Sequence, residues 1–187
     1  MKRSLAPTLM LATPDLDGGW FSRTVILLLR HDEAGGYGLV INRPFRRIDC
    51  EQVLELMDIP APLVSPGLLH GGPVTPEQAV VLHRTPDLGE DSEEIFKRLY
   101  LATQRESLNR LCHESDESFW IVMGYAGWGP GQLEQEIELG SWFVVPSAGE
   151  RERILSGDRA SLWSDLASGV GLNPDTLPRV DSGDLIQ

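Results

Sequence analysis

The sequence predicts an α+β fold in which a mixed sheet carries helices packed on its outside. Three observations point there. Predicted strands outnumber predicted helices, their connections include both a tight hairpin and longer crossovers, and the segment from Arg23 to Arg30 is apolar on both faces. A strand of that last kind belongs in the middle of a sheet covered on two sides. The chain has 187 residues, 41% hydrophobic and 24% charged. A chain of this length buries roughly 70% of the surface its unfolded form exposes and needs neither disulfide nor structural metal to hold a core. No repeat, linker or composition break divides it. The expectation is a single domain over 1–187, with an ordered core from about 7 to 170 and a tail from about 172 to 187 loosely held.

Leu9–Ala12 reads as a first short strand, ended by Pro14-Asp15 and the Asp17-Gly18-Gly19 turn. The Arg23–Arg30 strand and Gly38–Asn42 follow, joined through Gly35-Gly36 as an antiparallel hairpin and stopped by Pro44. Asp49 stands as the N-cap of a helix with Val53, Leu54, Leu56 and Met57 on one side. Leu68–His70 leads as a strand into a tight loop at Gly71–Val74, and Ala79–His83 is another strand. The acidic stretch from Asp87 to Glu94 reads as a surface loop with a helical turn near Ile95. Leu99–Thr103 is a strand and Glu106–His113 a helix. Phe119–Met123 is the clearest strand of the second half, followed by a glycine loop from Gly124 to Gly131, a helix from Gln132 to Leu139 closed by Gly140, and a strand at Ser141–Val145. Asp158 caps a last helix that places Leu162, Trp163 and Leu166 over the sheet.

Charge narrows the functional classes. The formal net charge is -12, yet residues 1–47 hold seven basic side chains against four acidic, so the excess of acid lies beyond them. Such a body repels phosphate backbones, which makes direct nucleic-acid binding a poor reading outside the Arg43, Arg46, Arg47 turn. Cys50 and Cys112 lack CxxC spacing and read as reduced thiols. The N-terminal apolar stretch is interrupted at Pro7-Thr8 and is not a signal peptide, and the longest apolar run, Val25–Leu29, is of strand length. A cytoplasmic address without membrane association follows.

No constellation specifies a reaction. His31, His70, His83 and His113 lack metal-ligand spacing, no Gly-x-Ser-x-Gly elbow exists, and neither cysteine has an activating neighbour. No catalytic residue, metal or cofactor is therefore nominated. The loop Gly124–Gly131 lies between a strand and a helix, as anion-cradling loops do. It lacks the Lys-Ser/Thr pair of a P-loop, and its glycine spacing is not that of a dinucleotide fingerprint. A helix entry whose glycines let Tyr125 and Trp128 pack closely is the preferred reading of it, and a ligand loop the alternative.

Arg23-Thr24-Val25 with His31, Gly38–Pro44, Gly71-Gly72-Pro73-Val74 and above all Gly124–Glu134 resemble the bacterial YqgE/AlgH family in order and spacing. The likeness runs from about Leu9 to Val145, with an echo at Leu162-Trp163. It departs at Gly18-Gly19-Trp20 and at Leu139-Gly140. The resemblance implies a single-domain α+β fold with a partly barrel-like sheet, a cytoplasmic location and no settled activity, some members being named as transcriptional regulators of alginate production.

Two functional expectations result. The first is a non-catalytic binding or regulatory protein presenting Arg23, Asn42, Arg43, Tyr125, Trp128, Gln132 and Glu134 on one accessible face to a protein or small-molecule partner. The second is an anion binder or hydrolase-type enzyme that uses the glycine loop with Arg23 or Arg43, and His31 as acid or base. Simpler structural roles compete at each position: Arg23 paired with Glu134, Asn42 closing its own turn, Trp128 in the core.

Overall fold

A computed structural model describes residues 4–16, 18–45, 50–59, 62–64, 66–96, 98–114, 119–145 and 158–171. In chain order the elements are β1 (Thr8–Ala12), a 3-10 turn (Pro14–Leu16), β2 (Val25–Asp32), β3 (Gly35–Val40), α1 (Cys50–Leu56), β4 (Gly67–His70), β5 (Val74–His83), β6 (Glu93–Phe96), β7 (Leu99–Ala102), α2 (Arg105–Glu114), β8 (Trp120–Trp128), α3 (Gln132–Glu138), β9 (Trp142–Val145) and α4 (Leu162–Gly169). The expected N-cap Asp49, Arg46 and Arg47 of the basic turn, and the tail beyond Gly171 lie outside the described residues.

Nine strands form one sheet in the order β6-β7-β5-β8-β3-β2-β1-β9, with β4 joined to β8 beside that path. All pairings are antiparallel except β4 with β8, which makes the sheet mixed, as the sequence predicts. The hub is β8. Its first half pairs with β4 through Gly67↔Trp120 to His70↔Met123, and the same edge of its second half pairs with β3 through Gly36↔Trp128 to Gly38↔Ala126.

Alternation along the strands sorts the core. Val25, Leu27, Leu39, Leu69, Val80, Val122 and Val145 contribute to one cluster that runs across the sheet and is covered by Leu162, Trp163 and Leu166 of α4. Their neighbours face the other way and split into two clusters. One, under α1 and α2, includes Leu54, Leu68, Val81, Leu111 and Ile121; the other, beside α3, includes Met10, Ile26, Leu28, Ala126 and Trp128. A sheet that curls around its concave side produces this one-against-two division, and we call the first face concave and the second convex. Val25 to Leu28 are all fully buried, the double-sided burial expected of a central strand.

Three readings are corrected. Gly124–Trp128 is strand, not loop. Ile121 and Met123 face the convex side, yet so do Ala126 and Trp128, so one extra residue must be absorbed between them. Gly124 absorbs it at φ 71°, and a side chain there would strike the Gly72 carbonyl. The expected helical turn near Ile95 is β6, paired with β7 by Glu93↔Leu101 and Glu94↔Tyr100; its exposed glutamates suit an edge strand. Asp158 accepts from the Ala160 N–H at 3.0 Å and shapes the turn before α4, whose N-cap is Ser161.

Candidate functional site

The hairpin of β2 and β3 does not end as a regular ladder. Ile41 donates its N–H to the Val25 carbonyl at 3.0 Å, but the Val25 N–H goes to Asn42 Oδ1 at 2.8 Å, while Asn42 Nδ2 donates to the Arg23 carbonyl at 2.9 Å. One carboxamide thus takes both backbone groups of the incoming chain. It holds Arg23 at φ 52°, in the left-handed region that non-glycine residues seldom enter. The Ile41 carbonyl, left over by this substitution, accepts from Arg159 Nη1 at 3.3 Å.

Three arginines meet this splayed strand end. Arg159 and Arg23 lie on the concave face: the Arg159 guanidinium sits 4.4 Å from the Trp120 ring centroid, and that of Arg23 lies 5.4 Å from Trp163, whose indole N–H donates to the Ala12 carbonyl at 2.9 Å. Arg43 lies on the convex face, 4.8 Å over Trp20, with Nη2 donating to the Ser22 carbonyl at 2.9 Å. Burial pulls the Arg43 pKa below its ordinary value. Arg159 is only 5% exposed, and burial, partly offset by the Asp158 charge, pulls its pKa down to about 10. Among the described residues its Nε and Nη2 are buried without a hydrogen-bond partner. Those two nitrogens form one edge of the guanidinium fork, the edge that takes both oxygens of a carboxylate or phosphate.

The other predicted residues stand elsewhere. Trp128 is 7% exposed and packs in the convex core; its indole N–H donates to Glu136 Oε2 at 2.8 Å. Tyr125 tilts against Tyr37 at 4.8 Å. Gln132 Oε1 accepts the Gly129 N–H at 3.0 Å, and its amide donates to Glu136 Oε1 at 2.8 Å. Glu134 faces His31, Oε2 to Nε2 being 3.6 Å. These residues therefore do not gather on a single face. Trp128 pairs with Gly36, whereas Asn42 is six residues further along the same chain, a separation of about 20 Å along extended backbone.

The pocket required by the enzyme reading divides in the same way. His31 and Trp128 do share a neighbourhood, each opposite Gly36 on its two sides, but Arg23 and Arg43 occupy the far end of the strands. His31 Nδ1 accepts the Leu5 N–H at 3.2 Å and so anchors the chain ahead of β1. Among the described residues no group of three His, Cys, Asp or Glu side chains could hold a metal, and no helix is long and apolar enough to cross a membrane. Sequence reasoning missed Arg159: one arginine between Asp158 and Ala160 has no local pattern to mark it, because its burial is created by Trp120 and Ile41, each more than thirty residues away.

The curled mixed sheet, hubbed on a bulged strand and carrying an arginine-lined hairpin end, defines an α+β fold. By sequence, the chain belongs to the AlgH-like family, whose profile matches residues 9–175. It is 42% identical over 177 residues to a UPF0301 protein of Shewanella sp. strain ANA-3, covering 91% of this chain and 93% of that protein. A UPF0301 protein of Shewanella woodyi is 39% identical over 153 residues, covering 79% and 82%. Among solved structures, the AlgH protein of Pseudomonas aeruginosa superposes with a TM-score of 0.76 at 28% identity, covering 97% of this chain and 98% of that one. A Corynebacterium diphtheriae protein shares the fold, with a TM-score of 0.69 at 22% identity over 87% and 85% of the two chains.

Proposed function

We propose that this chain is a non-catalytic, cytoplasmic binding protein that recognises an anionic group on the concave side of its splayed hairpin, with Arg159 as the primary contact and Arg23 beside it. The observation that carries this reading is the unsatisfied Nε–Nη2 edge of Arg159. A buried guanidinium with one hydrogen bond bears an uncompensated desolvation cost of several kcal/mol, and a two-oxygen anion offsets it with paired charge-assisted hydrogen bonds. Asn42 supports the site by fixing the backbone from which Arg23 projects. The strongly acidic remainder of the chain favours a small anion over a polyanion, because long-range repulsion grows with ligand charge. A role in regulation would then run through occupancy of this site, without direct contact with DNA.

Thermal unfolding at constant ionic strength, with phosphate or acetate replacing chloride, tests the reading. The wild type should gain stability with the logarithm of anion concentration, as ligand linkage requires. Arg159→Met should show no anion-specific gain, whatever its own baseline, and Arg159→Lys, which keeps charge but not the fork, only a reduced one. Equal responses in wild type and Arg159→Met would sink the proposal.

A further inference from the structure

A second feature lies on the opposite, convex face and is independent of the Arg159 reading. It is a cavity of about 280 Å³ lined by Phe45, Val53, Leu68, His70, Pro76 and Met123. Its origin is a mismatch in the sheet. Between Val74↔Tyr125 and Ala79↔Met123, β5 spends five residues while β8 spends two, so the segment carrying Pro76 bows away from β8, and Thr75 sits at φ 40° within it. The space left is floored by Leu68 of β4 and Met123 of β8 and bounded by Val53 of α1. Its remaining wall comes from the chain after the hairpin, which runs along the free edge of β4: His70 donates its N–H to the Arg43 carbonyl at 2.8 Å, and Phe45 donates to the Leu68 carbonyl at 3.1 Å. Pro44 bridges Leu69, whose side chain faces the concave core. Strand alternation therefore sends Arg43 and Phe45 to the convex side, where the Phe45 ring stacks on His70 at 3.3 Å between centroids.

Among the described residues the lining is apolar apart from His70, which is exposed at the rim. Arg43 adjoins that rim, its carbonyl accepting the His70 N–H at 2.8 Å, and its charge adds to burial in holding the His70 pKa below the ordinary value. Among the described residues Arg43 has a carbonyl and an indole ring for company, and no ion pair with a carboxylate. An apolar chamber whose mouth carries a donor, with a cation beside it, is complementary to a molecule with an apolar body and one anionic end. The chamber has about twice the roughly 150 Å³ that suffices for benzene in an apolar protein cavity, which sets the body at about eight to ten carbons.

We propose that this cavity is a binding site for a small amphiphilic carboxylate, its apolar body between Phe45, Val53, Leu68 and Met123 and its carboxylate against Arg43 and His70. Octanoate, octanol and octylamine, matched in length and different in charge, are the probes, and methyl NMR of the full chain is the readout. Octanoate should shift the Met123 methyl saturably and give cross-relaxation to the Val53 methyls. Octylamine should bind at least about tenfold more weakly. Arg43→Gln should weaken octanoate by about tenfold while leaving octanol unchanged, and Leu68→Phe, which fills the chamber, should abolish both. Absence of saturable octanoate shifts at Met123 in the wild type overturns the proposal, as does equal binding of octanoate and octylamine. The wild-type measurements decide even if a variant does not fold, and because Arg159 is not in the chamber, loss of the phosphate effect leaves this result standing.

Discussion

Trp128 and Trp142 stand edge to face, ring centroids 5.8 Å apart, and both indole N–H groups donate to a single carboxylate oxygen, Oε2 of Glu136, at 2.8 and 2.7 Å. One side chain on the third helix thus ties the end of the hub strand to the edge strand β9, while its other oxygen accepts from Gln132 at 2.8 Å. This explains why Trp128, expected at the surface as a binding aromatic, belongs to the core.

Glu136→Ala should destabilise the fold by about 3 kcal/mol, because it leaves two largely buried indole donors without an acceptor and hydrogen bonds to charged groups are the costly ones to lose. Glu136→Gln, which keeps an oxygen for both indoles but removes the charge and turns an NH2 toward the Gln132 amide, should cost about half as much. Denaturant unfolding with unchanged slope would measure both. Equal stability of all three proteins would mean the carboxylate is not the clasp.

His83 makes stability depend on pH. The side chain is fully buried, stacks on Tyr100 at 5.5 Å and shares a hydrogen bond with Ser92 Oγ at 3.1 Å. Burial pulls its pKa down to about 4, against the smaller opposing effects of the Thr85 carbonyl and the Asp91 charge. A base whose folded pKa lies below its unfolded value binds fewer protons in the native state between the two. Unfolding free energy should therefore fall as pH drops from about 6.5 to 4, by about 3 kcal/mol in total. Asp91 adds to the loss at lower pH: burial raises its pKa, but hydrogen bonds from Ser107, Gln104 and Thr103 outweigh that and hold it below the ordinary value. Urea midpoints from pH 7 to pH 4 should decline less steeply in His83→Gln than in the wild type. Parallel declines would show that His83 is not the titrating group.

How far such relationships can be read from residues alone depends on their range. The double-faced apolar run of β2 and the glycine closing α3, at φ 81° in Gly140, are local signals and identify their elements. Gly124–Trp128 misleads because glycines break the alternation that marks a strand. Here they serve it, since the hub strand runs against a β3 that is itself glycine-rich, with Gly36 opposite Trp128 and Gly38 opposite Ala126. Site residues suffer most. Arg23, Asn42 and Arg43 are neighbours across one hairpin, and a hairpin is visible in sequence. Their separation from Trp128, Gln132 and Glu134 follows from register and bulge position, which no local pattern reports. The cavity at His70 arises from the same kind of cause, five residues of one strand set against two of another.

Asn42 and Arg159 are linked through the Ile41 carbonyl. Asn42 captures the Val25 N–H, and by doing so it frees the Ile41 carbonyl that Arg159 uses at 3.3 Å. Asn42→Ala should cost about 2 to 3 kcal/mol: it strips partners from Val25 and Arg23 and removes the restraint on a left-handed Arg23. In that variant the Val25 N–H can return to the Ile41 carbonyl in an ordinary antiparallel pair, competing with Arg159 for the acceptor. The two residues should therefore be non-additive in a double-mutant cycle with Arg159→Met, with an interaction energy of about 1 kcal/mol. Asn42→Ala should also loosen Arg159, seen as a broadened Nε–H resonance and a diminished stabilisation by phosphate. Strict additivity with an unaltered Arg159 signal would show that the hairpin end and the buried arginine are independent features, and would remove Asn42 from the site while leaving its role in the backbone intact.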